Sequence, residues 1–402
     1  MSVDNAGNKI TNVSNKVIID TAQLNAPVLA TGMTPVKWNA SNVLTVTTSS
    51  DSEWYDYDSN KWANARTADG SMWVWIPRYI YKIDSGWHSN TAGTISIQFT
   101  KGVDDNWNSG VIGNINTDTS SNASNGSWTN HPAFTFGSTE LKGIWVAKYE
   151  ATSRTGLSTT YGADNVSTKS VKIVPNTYIW TSIDISNAFK VCRNMETDSA
   201  YGWGATGSGI DTHLIKNSEW GAVAYLTHSK YGRNGVKVSP SSASNSLGSN
   251  NILNLNYGSD SVDQSTTGNM TGIFAMSGGN NEWVAAYVNN GNASLTNYGS
   301  ALGSADIKYK DVYTITTDTQ ANNYVGALDK RGDAIYETSS SSSGKLSWFN
   351  GTSDIPVGYN MFLRRGGVKN GSESGIFSFS NHSGTYQPDV GFRPTLAVGS
   401  GL

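Results

Sequence analysis

The residues able to carry chemistry are sparse in this chain. Its 402 residues hold one cysteine, Cys192, and five histidines, His88, His131, His213, His228 and His382. A zinc protease needs H-E-x-x-H, a structural zinc site needs Cys and His at short intervals, and a serine hydrolase needs a G-x-S-x-G turn. None of these patterns occurs. Paired carboxylates for glycoside cleavage are assembled in space and leave no local trace, so they stay open on sequence grounds. Asp104, Asp105 and Asp118 lie in an Asn-rich stretch but miss the D-x-D-x-D-G spacing of a calcium loop. Cys192 sits with Phe189 and Met195 in an amphipathic run and reads as a buried small hydrophobe.

The C-terminus carries a different kind of chemistry. Phe362-Leu363-Arg364-Arg365-Gly366-Gly367 and Val390-Gly391-Phe392-Arg393-Pro394-Thr395-Leu396 frame a segment of mixed polar and aromatic residues. A guanidinium can satisfy several backbone carbonyls at once, so Arg364 or Arg365, and Arg393, are expected to be structural pins. Gly366, Gly367 and Gly391 would allow tight turns or close backbone approach. Between the bookends, Lys369, Asn370, Ser372, Glu373, Asn381, His382, Tyr386, Gln387 and Asp389 flank the apolar Ile376-Phe377-Ser378-Phe379, expected to be an inner strand. Tyr, Ser, Asn and Gly are the residues of adaptable binding surfaces, which join rigid contact area to flexible hydrogen bonding. The plainer reading of this segment is a solvated loop.

Upstream, Gly272-Ile273-Phe274-Ala275-Met276-Ser277-Gly278-Gly279-Asn280-Asn281-Glu282-Trp283-Val284 resembles the G-L-x-D-M-x-G-N-V-W-E-W motif of formylglycine-generating-enzyme-like proteins, a branch of the C-type-lectin fold. Three further pieces follow that family's order: His131-Pro132-Ala133-Phe134, Gly143-Ile144-Trp145-Val146-Ala147-Lys148-Tyr149-Glu150, and the stretch from Leu214 to Leu226. Within the superfamily the chain looks most like phage and prophage structural proteins that bind host cells, some of them diversified by retroelements at the equivalent C-terminal segment.

The resemblance implies an α+β architecture: a C-type-lectin-like domain over residues 46–402, with an irregular antiparallel sheet, two helices and long loops. An attachment arm over residues 1–45 would precede it. It implies a non-catalytic virion protein that recognises a bacterial surface glycan or protein through residues 364–396, contacts other virion proteins through the arm, and forms a homo-oligomer, by analogy a trimer. A tail or capsid decoration component without receptor binding is the alternative. The family's oxidases carry a pair of active-site cysteines, and a chain with Cys192 alone departs from them. The resemblance also implies structural duty for Glu282 and core burial for Trp283. Related loops sometimes hold calcium, but the motif here is one residue short between Asn and Glu, so no ion is assigned.

Composition bounds the remaining classes. Hydrophobic residues make up 37 % of the chain, enough for a sizeable core, while charged residues reach only 15 % and glycine numbers 42. A net charge of −3 gives no basic footprint for nucleic acid. No stretch approaches the ~20 apolar residues of a membrane span, and the first eight residues lack signal-peptide features. The expectation is therefore a protein made in the cytoplasm and released within a particle.

The aromatic run from Glu53 to Tyr81, with a turn at Asp69-Gly70, reads as a hairpin built mainly for core packing. Residues 102–127 read as a loop insertion. Helices are expected over Ser182–Glu196 and Lys216–Tyr231, with long loops over 235–268 and 289–345.

Overall fold

The computed structural model describes residues 24, 26–105, 124–204, 209–241, 259–314, 327, 330–340, 346–356, 359–365 and 373–402. Gly366, Gly367, Lys369, Asn370, Ser372, Asp118 and residues 1–23 of the expected arm lie outside the described residues.

The chain is mixed α+β, with several antiparallel sheets and few helices. Strands of three residues or more, in chain order, are β1 (Thr34–Trp38), β2 (Leu44–Val46), β3 (Asn64–Arg66), β4 (Met72–Pro77), β5 (Tyr79–Ile83), β6 (Ile95–Phe99) and β7 (Gly143–Ala147). They continue with β8 (Ile210–Leu214), β9 (Asn281–Asn289), β10 (Asp311–Thr314), β11 (Met361–Arg365), β12 (Phe379–His382), β13 (Val390–Phe392) and β14 (Pro394–Val398).

A seven-stranded sheet runs β8-β14-β7-β4-β3-β1-β2. The expected aromatic hairpin is its centre: β3 and β4 pair antiparallel across a turn in which Gly70 N–H donates to Thr67 O at 2.8 Å. Every residue of β4 is buried, as a strand covered on both faces must be, and Trp75 packs on Trp145 of β7 with ring centroids 5.2 Å apart.

Residue 45, where the attachment arm was expected to end, lies inside β2. Val36 of β1 is buried, and Trp145 Nε1 donates to Val28 O at 2.7 Å, so residues from Val28 onward belong to the packing of the sheet.

A second, five-stranded sheet runs β10-β9-β11-β12, with β13 pairing parallel to β9. A third sets β5 between β6 and Thr129–Asn130. Two helices lie where the periodicity put them, α1 (Ile185–Asn194) and α2 (Asn217–His228). The Asp184 carboxylate caps α1, accepting from Asn187 N at 2.7 Å, and α1 buries Phe189 and Cys192. The expected loop over 289–345 also contains α3 (Ser294–Tyr298), α4 (Ser300–Ser304) and β10. These helices are too short to give a helical period in sequence.

Buried polar groups tie the layers together. Glu337 is fully buried and accepts from Tyr81 Oη at 2.8 Å, Gly332 N at 2.7 Å, Tyr225 Oη and Ser124 Oγ, joining β5, α2 and two loops. His213 on β8 is held between Asp211, 3.2 Å from Nδ1, and Glu219 of α2, 2.7 Å from Nε2. Burial opposes the charge on all three groups. The mutual attraction outweighs it, raising His213 above its ordinary value and holding Glu219 at about 2.

The sign of the pH dependence follows. A raised His contributes stability fully below pH ~6.5 and loses it as pH rises through the folded value. Glu219 contributes above its ordinary value near 4.5 and loses its share as pH falls toward 2. Replacing His213 with Gln is therefore expected to destabilise the protein more at pH 5 than at pH 9, read as the difference in urea midpoint from the native chain at each pH.

Candidate functional site

Arg393 stands where the chain leaves the second sheet for the first, between β13 and β14. It is fully buried. Nε donates to Glu282 Oε2 at 3.0 Å and Nη2 to Glu282 Oε1 at 2.8 Å, while Nη1 reaches Ala147 O at 2.7 Å and Nη2 also Phe274 O at 3.0 Å. One side chain thus links β7, β9 and the loop ahead of β9.

Arg364 of β11, also fully buried, donates through Nε to Asn217 Oδ1 at 2.9 Å, through Nη1 to Ala334 O at 3.0 Å and through Nη2 to Asp333 O. Burial lowers its pKa to about 10, and it stays protonated. Arg365 pairs by backbone with Asn281. Trp283 is fully buried, its Nε1 donating to Ile183 O at 2.9 Å.

Glu150 lies next to this pair. It is 2 % exposed, with the backbone and side chain of Asn280 as its polar neighbours. Burial and the neighbouring Glu282 charge push its pKa well up, so it is the neutral member of the cluster. A Cβ on Gly391 would come within 3.3 Å of Glu150 Oε1 and 3.1 Å of Ile179, a close approach that favours glycine here. Both Glu282 oxygens accept from Arg393. Among the described residues no cluster of three or more His, Cys, Asp or Glu is arranged to hold a metal.

The segment between the two arginines is half-buried from Asn381 to Asp389 except Gly384. Asn381 Nδ2 donates to Asp354 Oδ2 at 2.7 Å. His382 packs edge-on to Trp283, with centroids 5.3 Å apart, and its Nδ1 accepts from Gly384 N at 3.1 Å. Burial lowers its pKa against the opposing Asp389 charge, so the ring is neutral and carries its hydrogen on Nε2. Gly384 has φ +89°, which the turn after His382 requires of a residue without Cβ.

Tyr386 pairs with Tyr161 at 5.2 Å between centroids, and Tyr161 Oη donates to Tyr386 O at 3.3 Å. The backbone carbonyls of Gln387 and Asp389 anchor the segment to Ser182 N at 2.8 Å and Asn281 N at 3.0 Å. Tyr386, Asp389 and His382 therefore share one neighbourhood, Asn381 turns toward Asp354, and exposed Glu373 bonds Thr352 Oγ1 at 3.0 Å. The expected inner strand is shifted. Ile376, Phe377 and Phe379 are buried, but only Phe379 onward pairs, because Ser378 N–H closes a turn onto Gly375 O at 2.9 Å.

Sequence reading missed Tyr161, which is 44 % exposed, and Asp354. Neither lies within the framed segment, and nothing local to either marks the contact.

A scan against protein-family models finds no match, and a search of curated proteins finds no similar sequence.

The frame and the displayed residues should separate cleanly in stability. Replacing Arg393 with Met strands the buried Glu282 charge and two carbonyls, a loss of about 3–5 kcal/mol. Tyr386→Ser and Gln387→Ser together should lower stability by about 1 kcal/mol or less. Denaturant unfolding of the three chains checks both.

Proposed function

We propose that this chain is a phage or prophage virion protein whose C-type-lectin-like domain binds a host-surface receptor, a bacterial glycan or protein, through the face around residues 373–389. The observation that carries this reading is the contrast within the framed segment. Arg364 and Arg393 are buried and fully engaged with carbonyls and carboxylates, whereas Asn381, His382, Tyr386, Gln387 and Asp389 between them are polar or aromatic and partly open to solvent. A rigid frame with a permissive surface is what recognition of variable partners requires.

The motif residues support the lectin-like reading. The Gly143–Ala147 motif is a central strand, the Leu214–Leu226 motif opens α2, and the Asn281–Trp283 and Gly391–Arg393 motifs meet in one ion pair. The reading is non-catalytic. Cys192, the sole cysteine, is buried in α1, and burial holds its thiol well above the usual range. Affinity would then come from modest contacts multiplied over copies on a particle, in a homo-oligomer, by analogy a trimer.

A purely structural tail or capsid role is the second reading. Edge strand β2 favours it, with Val43 and Val46 more than half exposed and Leu44 open beside them, a surface suited to another virion subunit.

The test is binding of the fluorescently tagged chain to intact candidate host bacteria. The native chain is compared with one carrying Ala or Ser at Lys369, Asn370, Asn381, His382, Tyr386 and Gln387. Saturable binding by the native chain that falls at least about tenfold in a correctly folded variant is expected; equal binding by both, or none by either, would favour the structural role.

A further inference from the structure

Strand β2 ends the seven-stranded sheet, and among the described residues no strand pairs with its far side. Its register with β1 sets which groups it turns outward. Thr47 N donates to Pro35 O at 3.0 Å and Asn39 N to Val43 O at 3.0 Å, on either side of the Lys37–Thr45 pair. Antiparallel bonding alternates residue by residue, so Val43, Thr45 and Thr47 direct their backbone groups to β1. Leu44 and Val46 direct theirs away from the sheet.

The side chains of the same two residues are open. Leu44 is 39 % and Val46 57 % exposed, and residues two apart on a strand share a face. Leu44 lies opposite Trp38 and Val46 opposite buried Val36, while Val36 in turn pairs with Asn64 and Asn64 with Val74. A row that is buried from β4 to β1 thus runs out to the edge of the sheet as bare apolar surface.

Edge strands are ordinarily blunted by charge, proline or a bulge. From Asn39 to Ser50 the chain has no charged residue and no proline. The flanking charges engage one another, with Lys37 Nζ 2.7 Å from carboxylate oxygens of both Asp51 and Glu53. An edge of this composition meets a copy of itself without like-charge repulsion. Its register is also self-complementary. A twofold axis through Thr45 runs two β2 strands antiparallel and sets Leu44 of each chain opposite Val46 of its partner. These are the residues whose N–H and C=O groups face outward, so both become hydrogen-bonded pairs. The two Thr45 residues form the closer, non-hydrogen-bonded pair between them.

We propose that β2 pairs edge to edge with β2 of a second copy of this chain, joining two seven-stranded sheets across a twofold axis at Thr45. The inference does not rest on the receptor reading, and it assigns the edge to a second copy and not to a different virion subunit. A strand contact this short falls below the ~1,200 Å2 of a stable complex, so association is expected at high protein concentration.

Sedimentation velocity of the full chain, run up to about 1 mM, the range of weak contacts, reads the association. Leu44→Lys with Val46→Lys places like charges directly opposite each other in both pairs and is expected to weaken dimer formation about tenfold or more. Leu44→Glu with Val46→Lys places opposite charges there and is expected to keep it. Thr45→Cys brings two thiols onto the axis at a Cα spacing of about 4.5 Å, within disulfide reach, and oxidation should give a covalent dimer on a non-reducing gel. Cys192 is buried and does not compete. Circular dichroism checks that each variant is folded. A native chain that stays monomeric, association unchanged by the double lysine substitution or lost in Leu44→Glu with Val46→Lys, or no covalent dimer from Thr45→Cys, would overturn the inference.

Discussion

The pairing of Arg393 with Glu282 is the contact on which the rest of the molecule depends. It is made where the chain crosses from the parallel pairing of β13 with β9 to the antiparallel pairing of β14 with β7 and β8, and it also caps carbonyls of β7 and of the loop before β9. A buried ion pair gains little net free energy over a well-packed apolar substitute, but removing one partner leaves an uncompensated charge. Its value here is geometric: the two sheets are locked in register with each other, and everything chained between Arg364 and Arg393 inherits that register. Glu150 remains neutral beside the pair because one guanidinium answers one carboxylate.

Much of this frame was legible in the sequence. Arginines inside apolar, Gly-rich bookends can be buried only if they satisfy several acceptors, and that is what Arg364 and Arg393 do. Helices α1 and α2 announced themselves by period, and the aromatic hairpin by its turn and its unbroken apolar run; the caps, Asp184 and Lys216, were not the Thr/Ser and Asn/Ser residues the sequence offered. The strands at residues 34–46 were not legible as part of the main sheet, because three to five alternating residues read equally well as an extended arm. The strand expected over Ile376–Phe379 was misplaced because burial and pairing coincide only at Phe379; the residues before it are buried in a turn.

What local pattern cannot supply is convergence. Tyr161 meets Tyr386 across 225 positions, and Tyr81 meets Glu337 across 256. A cavity beside His131 gathers residues from Arg78 to Arg331, each unremarkable in its own neighbourhood. The His213–Glu219–Asp211 group, in contrast, is compact in sequence, yet its charge depends on β8 packing against α2.

A buried, charge-locked frame presents a partly open polar face, the surface proposed for recognition. Amide hydrogen exchange of the chain, free and bound to envelope material of a host, tests that most directly. Slowed exchange over residues 379–389 and the adjoining 157–165 loop, with β7 and α2 equally protected in both states, is the predicted result. Slowing confined to other surfaces, or none on binding, would contradict it.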